Sequence, residues 1–87
     1  MAGMTPETLG YVAGFLTTVA FVPQVLQVYR TKSARDVSLG MFALFSTGVV
    51  LWLVYGIWIE STPVIWTNAV TLVLALAVLA AKWKWPN

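Results

Sequence analysis

Three stretches without a single Asp, Glu, Lys or Arg, residues 9–29, 37–59 and 61–81, take up 65 of the 87 positions, and every charged side chain falls outside them. A helix rises about 1.5 Å per residue, so each run reaches roughly 30 Å, the thickness of a bilayer's hydrocarbon core. A soluble three-helix bundle would need polar faces recurring at period 3.6, and these runs are apolar nearly all round. The chain is 60% hydrophobic and 9% charged, against about 25% charged in an ordinary soluble domain. The expected fold is therefore an all-α membrane protein of one domain, residues 1–87, with spans of about 6–30, 37–60 and 62–83.

The residue types that do chemistry are scarce. With no Cys and no His, there is no disulfide framework, thiolate metal site or imidazole base. Neither an acid/base pair nor a phosphate-binding glycine loop occurs, so no enzyme, metal or cofactor is expected. A cleavable leader would begin with a basic segment, whereas the only charged side chain before the first span is Glu7, so that span is expected to stay in the mature protein. Thr5-Pro6-Glu7 has the form of a helix start: N-cap, Pro at N1, acid in the first turn. Thr62-Pro63 is expected to repeat that start for the third helix.

Charge placement sets an expected orientation. Arg30, Lys32 and Arg35 lie between the first two spans, Lys82 and Lys84 follow the third, and Glu7 and Glu60 mark the opposite side. The positive-inside rule then puts the N-terminus outside and the C-terminus in the cytoplasm of a cell-membrane protein. These basic residues are topology signals beside the lipid bilayer, not contacts to nucleic acid. Trp83 and Trp85 fit an interfacial aromatic belt. Three helices packed as a triangle fill their own centre, so conduction of a polar solute would require assembly, most simply a two-fold homodimer of six helices.

The polar residues at membrane depth are informative. Met41, Phe45, Gly48, Trp52, Tyr55 and Ile59 follow one face of the second helix, as either a packing seam or the lining of a cavity with an inner constriction. Asn68 and Thr71 lie on one face of the third. Counted from the middle of each run, Trp52 and Asn68 fall at nearly one depth. An indole face suits the C–H side of a sugar ring, and a carboxamide both donates to and accepts from its hydroxyls. In the first helix, Pro23 removes the hydrogen bond to the Val19 carbonyl and makes a candidate hinge with Gln24 beside it. The face Gly10, Gly14, Thr17, Phe21 and Gln24 offers another helix a close approach. No Asp, Glu, His or Lys inside the runs could relay a proton, so any transport is expected to be passive.

Val22-Pro23-Gln24-Val25, the loop Thr31-Lys32-Ser33, the segment Val37-Ser38-Leu39-Gly40-Met41-Phe42 and the Trp52/Asn68 pair resemble the PQ-loop/MtN3 group, in particular the bacterial SemiSWEET sugar transporters, over essentially the whole chain. That resemblance implies a parallel homodimer, related by an axis along the membrane normal, which carries a mono- or disaccharide by alternating access. It implies substrate binding by Trp52 and Asn68 of both subunits, a hinge at Pro23 and an inner gate at Met41 and Phe45. Tyr55 matches an outer-gate tyrosine, but the Arg and Asp that can accompany it are absent, with Ile59 and Ser61 nearby. Packing of Tyr55 with Trp58 is the expected substitute. The residues alone also admit a PQ-loop carrier of amino acids, which would be expected to want a carboxylate near its cavity, or a membrane scaffold that transports nothing.

Overall fold

The computed structural model describes residues 5–87, and among them it holds three α-helices and no strand. These are α1 (Pro6–Thr31), α2 (Leu39–Trp58) and α3 (Thr62–Lys84). All three are long and apolar enough to cross a membrane.

The helix ends follow local chemistry. Thr5 caps α1, its hydroxyl oxygen accepting from the Thr8 N–H at 3.0 Å, with Pro6 in the first turn. Lys32 ends α1 in the left-handed conformation at φ 52°, and its N–H returns to the Val28 carbonyl. The second helix starts at Leu39 rather than Val37 because Ser38 caps it, accepting from the Met41 N–H at 3.2 Å. It stops at Trp58 because Glu60 turns left-handed, at φ 56°, and the Ser61 N–H closes on the Gly56 carbonyl at 2.8 Å. In α3 the cap position belongs to Ser61, which makes no side-chain cap bond, and Thr62 is already helical. The start at Thr5 is thus not repeated there, since the tight turn brings Ser61 into the place expected for Thr62.

The three sides of the helix bundle are not equally close. α3 packs closely against both others, while no Cα of α1 comes within 8 Å of one in α2, so α3 is the helix the other two share. The bridge between α1 and α2 is aromatic: Phe21 stacks on Phe45 with centroids 5.8 Å apart and meets Phe42 edge-on at 5.7 Å. Beside this bridge a cleft opens between α1 and α2, with α3 at its back.

Packing differs at the two ends. At the end carrying Glu7 and Glu60, small residues let backbones close up, as expected where no water drives helices together. A Cβ on Gly14 would overlap the Thr67 side chain, and one on Gly56 would stand 2.7 Å from Val64 Cγ1. At the basic end a true core forms from Val28, Ala34, Val37, Phe42, Val78 and Ala81. The chain end folds onto that core. Trp85 meets Tyr29 edge-on at 5.3 Å, its carbonyl accepts the Ala34 N–H at 2.8 Å, and the Lys82 ammonium donates to the Ala34 carbonyl at 3.0 Å. Of the two tryptophans expected in an interfacial belt, Trp83 is free at 90% exposure, whereas Trp85 packs inward because the α1–α2 loop offers it a backbone donor.

This packing separates the glycines by function. Gly14→Val and Gly56→Leu are expected to lower the thermal midpoint in detergent, each through about 1–3 kcal/mol of overpacking. Gly40→Ala, whose Cβ meets nothing within 4 Å, should leave the midpoint unchanged or raise it slightly. Equal shifts in all three variants would refute the close approaches.

Candidate functional site

The second helix has two distinct faces. Phe42, Ser46, Val49 and Gly56 are its buried residues. The stripe of Met41, Phe45, Trp52, Tyr55 and Ile59 is exposed along the protomer. It is therefore not a seam within the chain, and a Cβ on Gly48 would meet nothing within 4 Å. The glycine leaves space instead of admitting a neighbour.

That space is a cavity of about 460 Å³ in the α1–α2 cleft, backed by α3. Its volume lies in the range of small-molecule sites. Trp52 and Gly48 come from α2, Asn68 and Thr71 from α3, and Thr17 and Phe21 from α1. The Phe21/Phe45 stack lines its side toward the basic end. No charged side chain lines it.

Local bonding determines what the walls present. Asn68 Nδ2 donates to the Val64 carbonyl at 2.9 Å, which fixes the amide on its helix while using one of its two N–H donors. The Thr71 hydroxyl donates to the Thr67 carbonyl at 2.7 Å and the Thr17 hydroxyl to the Gly14 carbonyl at 3.1 Å. The Thr17 oxygen remains as an acceptor, while the Thr71 oxygen already accepts from the Thr18 hydroxyl at 3.4 Å and keeps one lone pair free. The cavity thus presents one half-exposed indole, one anchored carboxamide and a few hydroxyl acceptors, a surface suited to an uncharged polyhydroxy solute.

The other residues singled out from the sequence are distributed around this centre. Tyr55 meets Trp52 edge-on at 5.5 Å. Within the chain its aromatic partner is thus Trp52, while Trp58 is 84% exposed. Met41 stands 55% exposed and does not line the cavity, whereas Phe45 does. Helix α1 continues through Pro23. The face drawn from Gly10 to Gln24 divides: Gly10 and Gly14 pack on α3, Thr17 and Phe21 line the cavity, and Pro23 and Gln24 line a second cavity nearer the basic end. Thr67 and Val49 also line the first cavity, and the sequence reading missed both. Thr67 could have been found from its spacing of four to Thr71, but Val49 carries no signal apart from its neighbours.

Comparison with known proteins fits this geometry. The model of the PQ loop repeat family matches residues 5–65. A sugar transporter SemiSWEET of Leptospira biflexa is 53% identical over 74 residues, 85% of this chain and 87% of the relative. One from Bradyrhizobium diazoefficiens is 46% identical over 91% of this chain and 92% of the relative. Among solved structures, a bacterial homologue of SWEET transporters aligns with TM-score 0.85 and 44% identity, covering 90% of this chain and 94% of its own. SemiSWEET in the inward-open conformation aligns with TM-score 0.82 and 39% identity, covering 88% and 83%. With most of its length matched by the family model and by relatives of this identity, the chain belongs to the PQ-loop repeat family.

Proposed function

We propose that the chain is a single three-helix unit that pairs with a second copy as a parallel homodimer and carries a neutral sugar across the membrane, passively and by alternating access. The observation that carries this reading is the meeting of Trp52 and Asn68 on one uncharged cavity that stays open along one side of the protomer. A two-fold partner set against that open side would bring a second indole and a second amide to the same chamber. The relatives named as sugar transporters support the substrate class, and the neighbour named as inward-open supports a carrier with more than one state.

In this reading Trp52 and Asn68 hold the sugar, and Pro23 with Gln24 forms the hinge of α1. Phe45, with Met41 beside it, closes the inner side, where the Phe21 stack already narrows the cleft. Tyr55 and Trp58 close the outer side, and Tyr55 does so from its place against Trp52. The basic end faces the cytoplasm and the N-terminus lies outside, as the positive-inside rule requires. A carrier of amino acids would be expected to place a carboxylate against the amine, and none lines the cavity.

Uptake of radiolabelled glucose and sucrose into proteoliposomes holding the purified dimer tests the proposal. Uptake should follow the sugar gradient alone and be unchanged when a proton ionophore collapses any pH gradient, because residues 9–29, 37–59 and 61–81 offer no side chain to relay a proton. Uptake that depends on an imposed proton gradient would overturn the passive mechanism, and a dimer that moves no sugar would overturn the carrier itself.

A further inference from the structure

The second cavity, about 660 Å³, lies between the inner half of α1 and the α1–α2 loop. Gln24, Gln27, Thr31 and Ser33 contribute its uncharged polar side chains. Arg35 and Asp36 also border it, but they form an exposed pair at 3.8 Å, so the wall carries no net charge.

The depth of its two amides is the decisive feature. From Val19, the middle of the charge-free run, Gln24 lies five residues inward and Gln27 eight, offsets of about 7 and 12 Å. Both therefore fall within the roughly 15 Å half-thickness of the hydrocarbon. Both residues are exposed on the protomer. Neither side-chain amide takes part in a hydrogen bond among the described residues; the bond at Gln27 uses its backbone carbonyl, which accepts from the Thr31 hydroxyl at 2.9 Å. Unpaired amides facing lipid are strongly disfavoured, so this side of α1 faces water, a polar ligand or the second copy rather than lipid. Gln24, Gln27 and Thr31 follow a 3-4 spacing, which gives one strip of α1 a ladder of donors and acceptors leading inward from Phe21.

We propose that Gln24 and Gln27, with the Thr31 and Ser33 hydroxyls at the rim, form a second carbohydrate subsite on the cytoplasmic side, occupied by sugar after it leaves Trp52 and Asn68 and before it is released. The subsite rests on the sugar-carrier reading. It has no indole for a ring to cover, so it binds more weakly than the central site. Gln27 is the residue to test, because Gln24 also adjoins the hinge.

Sidedness separates this subsite from a merely structural role. Gln27→Leu in proteoliposomes of known orientation should raise the KM for radiolabelled sugar presented from the cytoplasmic side by roughly three- to tenfold, the loss of one or two hydrogen bonds, while KM from the outer side stays as in the parent. Because a passive carrier must have equal Vmax/KM in both directions, the ratio of the two maximal rates should change by the same factor. Gln27→Asn should restore part of the effect. In Gln27→Cys, a membrane-impermeant thiol reagent should react from the cytoplasmic side, more slowly when sugar is present. Unchanged KM on both sides in Gln27→Leu, beside a parent protein that transports sugar through Trp52, would overturn the subsite and leave the carrier standing. A Gln27→Cys variant whose thiol stays unreactive would also overturn it, by making Gln27 a dry contact to the partner. Failure of the parent protein to transport would instead remove the carrier reading beneath it.

Discussion

Alanine at Trp52 should reduce sugar uptake by the reconstituted dimer to a few per cent of the parent rate at subsaturating sugar, and alanine at Asn68 should come close to that. If one indole face covers roughly a third of the ~150 Å² an aromatic side chain can bury, about 50 Å² leaves water. At about 25 cal/mol per Å² this is about 1.2 kcal/mol. In the proposed dimer, two subunits facing one chamber double it to about 2.5 kcal/mol, roughly sixtyfold in affinity. For Asn68, hydrogen bonds worth about 1 kcal/mol each, one per subunit, give roughly thirtyfold. Trp66→Ala and Trp83→Ala are the controls. Trp66 lines a separate groove between α1 and α3 and Trp83 is almost wholly exposed, so both variants should transport as the parent does. If Trp52→Ala and Asn68→Ala form dimers that transport normally, the site lies elsewhere.

The three spans were legible because a charge in hydrocarbon is costly enough to leave a gap in the sequence, and Glu7, Arg30, Asp36, Glu60 and Lys82 bracket those gaps. The depth match of Trp52 with Asn68 was legible too, since it needs only the helical rise. Helix order was not. Helices that are apolar all round carry almost no directional signal, and α3 became the central helix through steric detail. Thr67 fits against Gly14, Val64 fits against Gly56, and both depend on pairings between helices that no spacing within one helix reveals. For the same reason the sequence showed Gly48 as either a seam or a void. A glycine marks the absence of a side chain, and only the position of the neighbouring helix decides what that absence serves.

The inner and outer closures show a similar division. Phe45 was identifiable from its place on the α2 stripe, but its stacking partner Phe21 lies on α1, on a face that read as packing surface. Their stack, with the edge-on Phe42, bridges two helices whose Cα traces stay apart. Tyr55, by contrast, rests on Trp52, so the residues proposed for the outer gate and the sugar platform are in direct contact. In the carrier reading, an indole that shifts to cover a sugar must move against the Tyr55 ring. Substrate binding and outer closure are then coupled through one edge-to-face contact, without the ion pair this chain lacks.

Gly48→Phe should abolish transport while the protein still folds and dimerises. The position is unusual among the interior glycines because its missing side chain borders the 460 Å³ cavity, and a Cβ there meets nothing within 4 Å. A larger residue costs no helix–helix contact within the protomer, and replacing glycine in a helix interior recovers roughly 0.5–1 kcal/mol of backbone entropy. The thermal midpoint should therefore hold or rise. The ring would fill the space beside Trp52, and two-fold symmetry would introduce it twice into the same chamber. Gly48→Ala should retain part of the rate, giving a graded loss with size that a folding defect would not produce. The contrast with Gly14→Val is the sharper test: that variant should lose stability before activity, and Gly48→Phe activity without stability. A Gly48→Phe dimer that moves sugar at the parent rate would show that the solute does not pass through the α1–α2 cleft.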